Sequence, residues 1–186
     1  MATRVIGFAG SPRVGGNSDL LLDEVLAGAT ESGATVEKVR LNKLTIKPCQ
    51  GCDSCQKPAR KGEGCVNIDD MQELYGKLLE ADVWVLATPV YWWGPSAQLK
   101  LMVDRWYGLP GRHDKLAGKR AALVVAMGDE EPKTAHPTIE MFTDAFEYLK
   151  MKFFEPVVAV AHDKGEVKKD QAALRKAREL GRKIAS

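Results

Sequence analysis

Residues 5–22 constrain the fold most strongly. Val5-Ile6-Gly7-Phe8-Ala9 is a short apolar run that breaks into Gly10-Ser11-Pro12-Arg13 and then into a helical pattern. Val5, Ile6 and Phe8 are β-branched or aromatic, and Gly10 and Pro12 stop the run sharply, so residues 5–9 read as a fully buried strand. The following loop carries Ser11, Arg13, Gly15, Gly16, Asn17 and Ser18: hydroxyls, one guanidinium, one amide, and two glycines that let backbone N–H groups turn toward a ligand. Asn17 or Ser18 can cap the next helix, whose first-turn amides have no intrahelical partner and whose N-terminus is positive. A phosphate dianion sits well at such a place. The spacing is neither a Walker A loop, which ends Gly-Lys-Ser/Thr, nor a G-x-G-x-x-G dinucleotide turn. A phosphate cradle and an ordinary turn into an amphipathic helix remain.

The whole chain narrows the choice. Its 186 residues, 45% of them hydrophobic, suffice for one domain spanning 1–186 with a sizeable core. Lys plus Arg (27) nearly balance Asp plus Glu (25), and a formal charge of +2 gives no reason to expect nucleic acid or an anionic membrane as partner. No run approaches the roughly 18 apolar residues of a spanning helix, and the chain enters a strand without a signal-peptide cleavage site, so a cytoplasmic protein is expected. All four cysteines fall between Cys49 and Cys65. In a reducing compartment that clustering points to metal or redox chemistry rather than disulfides.

Strand and helix patterns alternate throughout. Strands are expected at 5–9, 35–41, 83–87, 121–127 and 157–161. Helices are expected at 18–32, from Asp70, where Asp-Met-Gln-Glu has capping-box form, from Pro95, from Pro137 and from about Val167. The cysteine-rich stretch, about 45–68, reads as an irregular insertion between the second strand and the second helix. The basic residues of the last helix read as a solvated face. Five strands with intervening helices predict a parallel sheet covered on both faces, with ligands at the carboxyl ends of its strands. The loops at 11–18, 89–94 and 128–132 meet there. The first offers phosphate ligands and the second offers Tyr91, Trp92 and Trp93. Together they describe a site for a flat aromatic cofactor bearing a phosphate, although these aromatics also suit a core or an interface.

With these loops in hand, the sequence resembles the flavodoxin-like NADPH-dependent FMN reductase superfamily and, within it, the iron-sulfur flavoproteins. The resemblance covers most of the chain. It rests on Gly10-Ser11-Pro12-Arg13 with Gly16-Asn17-Ser18, on Cys-x2-Cys-x2-Cys followed by Cys65 and Asp69-Asp70-Met71, on Ala81-Asp82, on Thr88-Pro89-Val90-Tyr91, and on Leu99-Lys100 with Asp104-Arg105. It implies a flavodoxin-like three-layer fold and FMN, with Ser11, Arg13, Asn17 and Ser18 on the phosphate and Pro89, Val90, Tyr91 and Trp92 along the isoalloxazine edge. Gly16 belongs to the same cradle, and Gly128 and Asp129 occupy the third loop without a specific motif. It further implies a homodimer or homotetramer in which neighbouring subunits help to enclose the flavin.

Cys49, Cys52 and Cys55 are spaced so that a short loop can bring three thiolates to one centre, and Cys65 can supply a fourth. In the iron-sulfur flavoproteins the last cysteine follows more closely, so 58–64 looks like a small insertion. Three readings stay open: a [4Fe-4S] cluster, a tetrahedral zinc, and thiols without a metal. The chemistry expected is two-electron transfer through FMN from NAD(P)H or singly through a cluster, to a small-molecule acceptor or from a ferredoxin-type donor. No side-chain acid, base or nucleophile is required, so no catalytic residue is assigned. The rival class, a non-enzymatic flavodoxin-type carrier, usually needs a strongly charged docking face, which this near-neutral chain lacks. Lys100 and Asp104 read as a surface pair, and His113, His136 and His162 as structural or exposed.

Overall fold

The computed structural model describes residues 2–58 and 64–186 and, within them, every side chain except those of Arg112 and His113. Most of the expected insertion at 58–64, and the His113 side chain, therefore lie outside the described residues. The elements run β1 (Arg4–Ala9), α1 (Asn17–Glu31), β2 (Thr35–Arg40), α2 (Met71–Glu80), β3 (Val83–Tyr91), β4 (Gly94–Pro95), α3 (Ala97–Arg105), α4 (Arg112–Leu116), β5 (Arg120–Met127), α5 (His136–Tyr148), β6 (Lys152–Phe153), β7 (Val157–Val160) and α6 (Gln171–Ala185).

The sheet has the order β2-β1-β3-β5-β6, with β7 also on β5 and β4 on β3. The pairings of β1 with β2 and β3, and of β5 with β3, β6 and β7, are all parallel. β6 pairs with Arg120 and Ala121 at the start of β5, and β7 pairs with residues 124–127 at its end. The two are one edge lane interrupted around Pro156, which has no N–H to give the ladder. The sheet thus has the five parallel lanes read from the sequence. From β1 the connections run outward to β2 on one side and through β3 to β5 on the other, so their progression reverses between β1 and β3, the switch point at which doubly wound folds bind ligands.

Side chains alternate between two cores, as a period of two requires. Ile6, Phe8, Trp84, Leu86, Leu123 and Val125 face α2, α3 and α5, while Val5, Ala9, Val83, Val85, Ala122 and Val124 face α1 and α6. Trp84 is fully buried and its indole N–H donates to Leu78 O at 2.9 Å. α1 and α6 touch backbone to backbone, because a Cβ on Gly28 would lie 2.0 Å from Arg178 O and one on Gly181 2.0 Å from Val25 O. The basic face of α6 is therefore only partly solvated: Arg178 binds Glu24 and Glu31, and Arg182 binds Glu31.

Several element ends differ from expectation. Gly16, not Asn17 or Ser18, occupies the cap position of α1 and offers no side-chain cap. Asp70 has helical backbone angles and caps nothing through its side chain; its carboxylate instead accepts from Thr45 N at 2.7 Å. Pro95 is paired with Val90 rather than opening a helix, and Ser96 caps α3. Val167 lies in a short 3-10 turn, Glu166–Lys169, and α6 begins behind Asp170, which caps Ala173 N at 2.9 Å. These ends were decided by tertiary partners that local propensity does not contain. Among the described residues, no helix is long and apolar enough to cross a membrane.

Candidate cofactor site at the β1/β3 switch point

The first loop is locked to the sheet before it reaches the site. Gly10 N donates to Ala87 O at 2.8 Å, and Ser96 Oγ donates to Gly10 O at 2.6 Å. A Cβ on Gly10 would meet Ala87 O at 2.8 Å and Ser96 Oγ at 3.0 Å, so only glycine lets β1, β3 and α3 converge here. Beyond it, Arg13 N donates to Ser11 Oγ at 3.1 Å and Gly16 N to Arg13 O at 2.9 Å, curling the chain over the N-terminus of α1. Gly15 takes φ 70°, and its N–H donates to Asp19 Oδ2 at 2.8 Å. Asp19 is buried, which raises its pKa, but the bonds from Lys38, Arg40 and Gly15 outweigh burial and hold the carboxyl below its ordinary value. Its charge is consumed beneath the loop rather than turned toward the cleft.

The cleft above has a volume of about 250 Å³. Ser11, Arg13, Gly16, Asn17 and Ser18 line it from the first loop, Pro89, Val90 and Tyr91 from the second, and Ala126 and Gly128 from the third. The three loops therefore meet as expected. Ala161, His162 and Lys164, from the loop after β7, complete the lining and had no sequence motif to announce them. Among the described residues, two cations and a histidine line the cleft and no carboxylate does.

Three expected site residues behave differently. The Asn17 side chain is committed elsewhere: Nδ2 donates to Ala161 O at 3.0 Å and Asp163 O at 2.9 Å, and Oδ1 accepts from Val167 N at 3.1 Å. Only its backbone faces an anion at the helix start. Asp129 does not line the cleft. Its carboxylate accepts from Glu131 N at 2.9 Å and Thr134 Oγ1 at 3.0 Å, bonds that hold it below the usual carboxylate range. Trp92 also lies outside the lining and is 91% exposed. It occupies a two-residue hairpin between Tyr91 and Gly94, with Trp92 at φ 51° and Trp93 at φ 59°. A hairpin with both central residues left-handed favours Asn-Gly, so two tryptophans there store about 1–2 kcal/mol apiece. Trp93 O accepts from the buried Thr138 hydroxyl at 3.0 Å, which fastens the turn to α5. Lys100 and Asp104 form an exposed pair at 2.5 Å, as read from their spacing, and the side chain of His162 is 84% exposed.

The cysteine segment is organised differently. Its neck is zipped: Arg105 Nη1 donates to Lys47 O at 2.8 Å and Asp69 Oδ2 at 2.6 Å, while Nη2 reaches Asp69 Oδ1 at 3.2 Å. Asp69 also accepts from Lys47 N at 2.9 Å and Met71 N at 3.1 Å. The Arg105 and Asp69 side chains are 0% and 1% exposed. Burial raises the Asp69 pKa, yet Arg105 and the two backbone donors bring it below normal; burial lowers the Arg105 value, yet Asp69 and Tyr75 bring it above normal. The sequence contained one signal for this pair, since Arg105 stands three residues after Met102 on the buried face of α3. Beyond the neck, Cys49 and Cys52 are exposed and Cys55 and Cys65 half-buried. Cys55 Sγ approaches Tyr107 O at 3.9 Å, and bonds from the Ser54 backbone and hydroxyl hold the Cys52 thiol below its ordinary pKa.

The two candidate groups fit these regions unequally. For FMN, a cleft lined by Arg13 and Lys164 suits the phosphate, and the Pro89-Val90-Tyr91 wall offers an apolar and aromatic edge beside it. For a cluster, four cysteines have the right donor chemistry. As folded, however, no three Cys, His, Asp or Glu side chains among the described residues converge on a metal position.

Comparison with known proteins places the chain in a family. The family model for NADPH-dependent FMN reductases matches residues 3–165. An iron-sulfur flavoprotein of Methanocaldococcus jannaschii is 34% identical, with 98% of this chain and 95% of the relative covered. Another, from Archaeoglobus fulgidus, is 36% identical over 98% of this chain and 79% of its own length. Among solved structures, an NAD(P)H:quinone oxidoreductase from Methanothermobacter marburgensis superposes with a TM-score of 0.78 at 19% identity, covering 100% of this chain and 96% of that one, a likeness of fold. The chain belongs to the NADPH-dependent FMN reductase family and, within it, stands with the iron-sulfur flavoproteins.

Proposed function

We propose that this protein is an FMN-dependent oxidoreductase whose cofactor lies across the β1/β3 switch point. The phosphate rests on Ser11, Arg13, Gly16, Ser18 and the N-terminus of α1, and the ring runs along Pro89, Val90 and Tyr91. The observation that carries this reading is the charge of the cleft: in a chain of formal charge +2, its lining among the described residues holds Arg13 and Lys164 and no acid. FMN, when bound, supplies the redox chemistry, taking two electrons from NAD(P)H and giving them to a small-molecule acceptor.

The chain's own groups bind, orient and shield. Arg13 and the helix N-terminus offset the phosphate charge, and the Ser11 and Ser18 hydroxyls direct hydrogen bonds to it. The Gly10 junction holds this loop at fixed distance from the β3 wall, so phosphate and ring edge are positioned together. Tyr91 and the hairpin beyond it form a rim at which water is excluded and an acceptor meets the ring. No side chain moves a proton in this account.

The cysteines support an iron-sulfur centre by their spacing, as in the relatives that carry that name. Because the thiols do not converge as folded, no electron route is drawn through them. The exposed Trp92 and Trp93 favour association of copies into a dimer or tetramer around the cofactor edge, and a cytoplasmic enzyme of one domain accords with this reading. The test is direct: protein stripped of flavin is titrated with FMN and then assayed for NAD(P)H oxidation with a quinone acceptor. Stoichiometric FMN uptake and sustained turnover are expected. Uptake with negligible turnover but fast reduction by a ferredoxin-type donor would make the protein a carrier, and no uptake would end the reading.

A further inference from the structure

The loop after β7 is latched to the phosphate loop, and the latch presents a cation. All three polar contacts of the Asn17 side chain go to this loop, at Ala161 O, Asp163 O and Val167 N. The loop is also tied to itself: Glu166 Oε2 accepts from His162 N at 2.8 Å and Asp163 N at 3.0 Å, and Gly165 turns the chain at φ 78°. A Cβ on Gly165 would stand 3.7 Å from Gly15 O, and one on Gly15 would stand 3.9 Å from Lys164 Cε. The Lys164 side chain thus crosses Gly15 and reaches the same cleft that Arg13 lines. Asp19, the buried acid under this loop, is neutralised by Lys38 and Arg40.

We infer that Lys164 is the second cation of the phosphate site and that Asn17 is the positioning residue that brings it there. The inference deepens the proposed flavin site and rests on it: Lys164, together with Arg13, recognises a phosphomonoester, that of FMN. Asn17, which the sequence resemblance puts on the phosphate, serves the anion through the latch. The 2′-phosphate of NADPH shares this chemistry and is separated by the test.

Flavin-free protein is titrated with FMN and with riboflavin, which differ only in the phosphate, by quenching of flavin fluorescence. Lys164→Met is expected to weaken FMN by about tenfold, the worth of one charge-assisted hydrogen bond, and to leave riboflavin within about twofold. Lys164→Arg retains most of the FMN affinity, and the loss in Lys164→Met shrinks as salt is raised. Asn17→Val gives a similar loss, and the double variant is less impaired than the product of the two, because both substitutions remove one contact. Unchanged FMN affinity in Lys164→Met would overturn the inference, as would an equal loss for riboflavin. A changed preference for NADPH over NADH with FMN affinity intact would also overturn it, assigning the lysine to the dinucleotide. If the unaltered protein binds riboflavin as well as FMN, the phosphate cradle itself fails, which is a different result.

Discussion

The phosphate cleft and the cysteine neck are both loops at the carboxyl ends of strands, and both depend on buried or half-buried charge, yet they treat it in opposite ways. In the neck, Arg105 and Asp69 are sealed together, and every carboxylate oxygen is taken up by the guanidinium and two backbone amides. Beneath the cleft, the buried Asp19 is neutralised by Lys38 and Arg40, and Arg13 and Lys164 are left on an open wall. A loop made to be held uses its charges internally, whereas a loop made to hold an anion keeps its cations facing outward.

This contrast is broken most severely at the neck. Arg105→Met strands a buried carboxylate and should cost about 3–5 kcal/mol in unfolding free energy, with Arg105→Met/Asp69→Leu recovering most of it. Urea unfolding checks both, and a loss below about 1 kcal/mol would show that the pair is not the fastening of the segment. Arg13→Ala is the counterpart in the cleft. It should weaken FMN by about ten- to a hundredfold while shifting stability by no more than about 0.5 kcal/mol, because an exposed cation facing an open site holds nothing in the fold.

Acid separates the regions further. Asp19 and Asp69 both have pKa values below the ordinary carboxylate range, so each contributes stability that is complete above the unfolded value of about 3.9 and is lost as pH falls through the lower folded value. Unfolding followed from pH 6 down to pH 2 should show this loss beginning below about pH 4, and Asp19→Asn should flatten its share. The smallest effect is a gain: Trp93→Gly relieves one left-handed residue of the hairpin and should stabilise the protein by about 1–2 kcal/mol, read as a higher melting temperature. No gain would mean Trp93 earns its conformation through packing in an assembly.

Much of this was legible in the residues. The β1 run, the loop at 11–18 and the convergence of three loops follow from short apolar runs stopped by glycine and proline and from the rule that parallel sheets bind at their carboxyl ends. What the sequence hid were contacts between distant segments. Asn17 reads as a cap because Asn caps helices, yet its amide is bonded to a loop 144 residues and more away. Lys164 belongs to no motif and becomes a site residue only through that latch. Gly28 and Gly181 belong to no sequence motif, but each is required by the backbone of the other helix. Asp129 stands at the right strand end, and its short side chain bonds its own loop first. The cysteine spacing conveys donor chemistry well and says nothing about where the thiols rest without a metal.

The central claim is that the cleft is complete without the cysteines. It is tested by titrating FMN into iron-free, flavin-free protein in which Cys49, Cys52, Cys55 and Cys65 are all replaced by serine, beside the unaltered chain. The account predicts one FMN per chain and a dissociation constant within about twofold of the unaltered protein. Failure of the four-serine protein to take up FMN, while it remains folded, would contradict it and make the cysteine segment part of the flavin site.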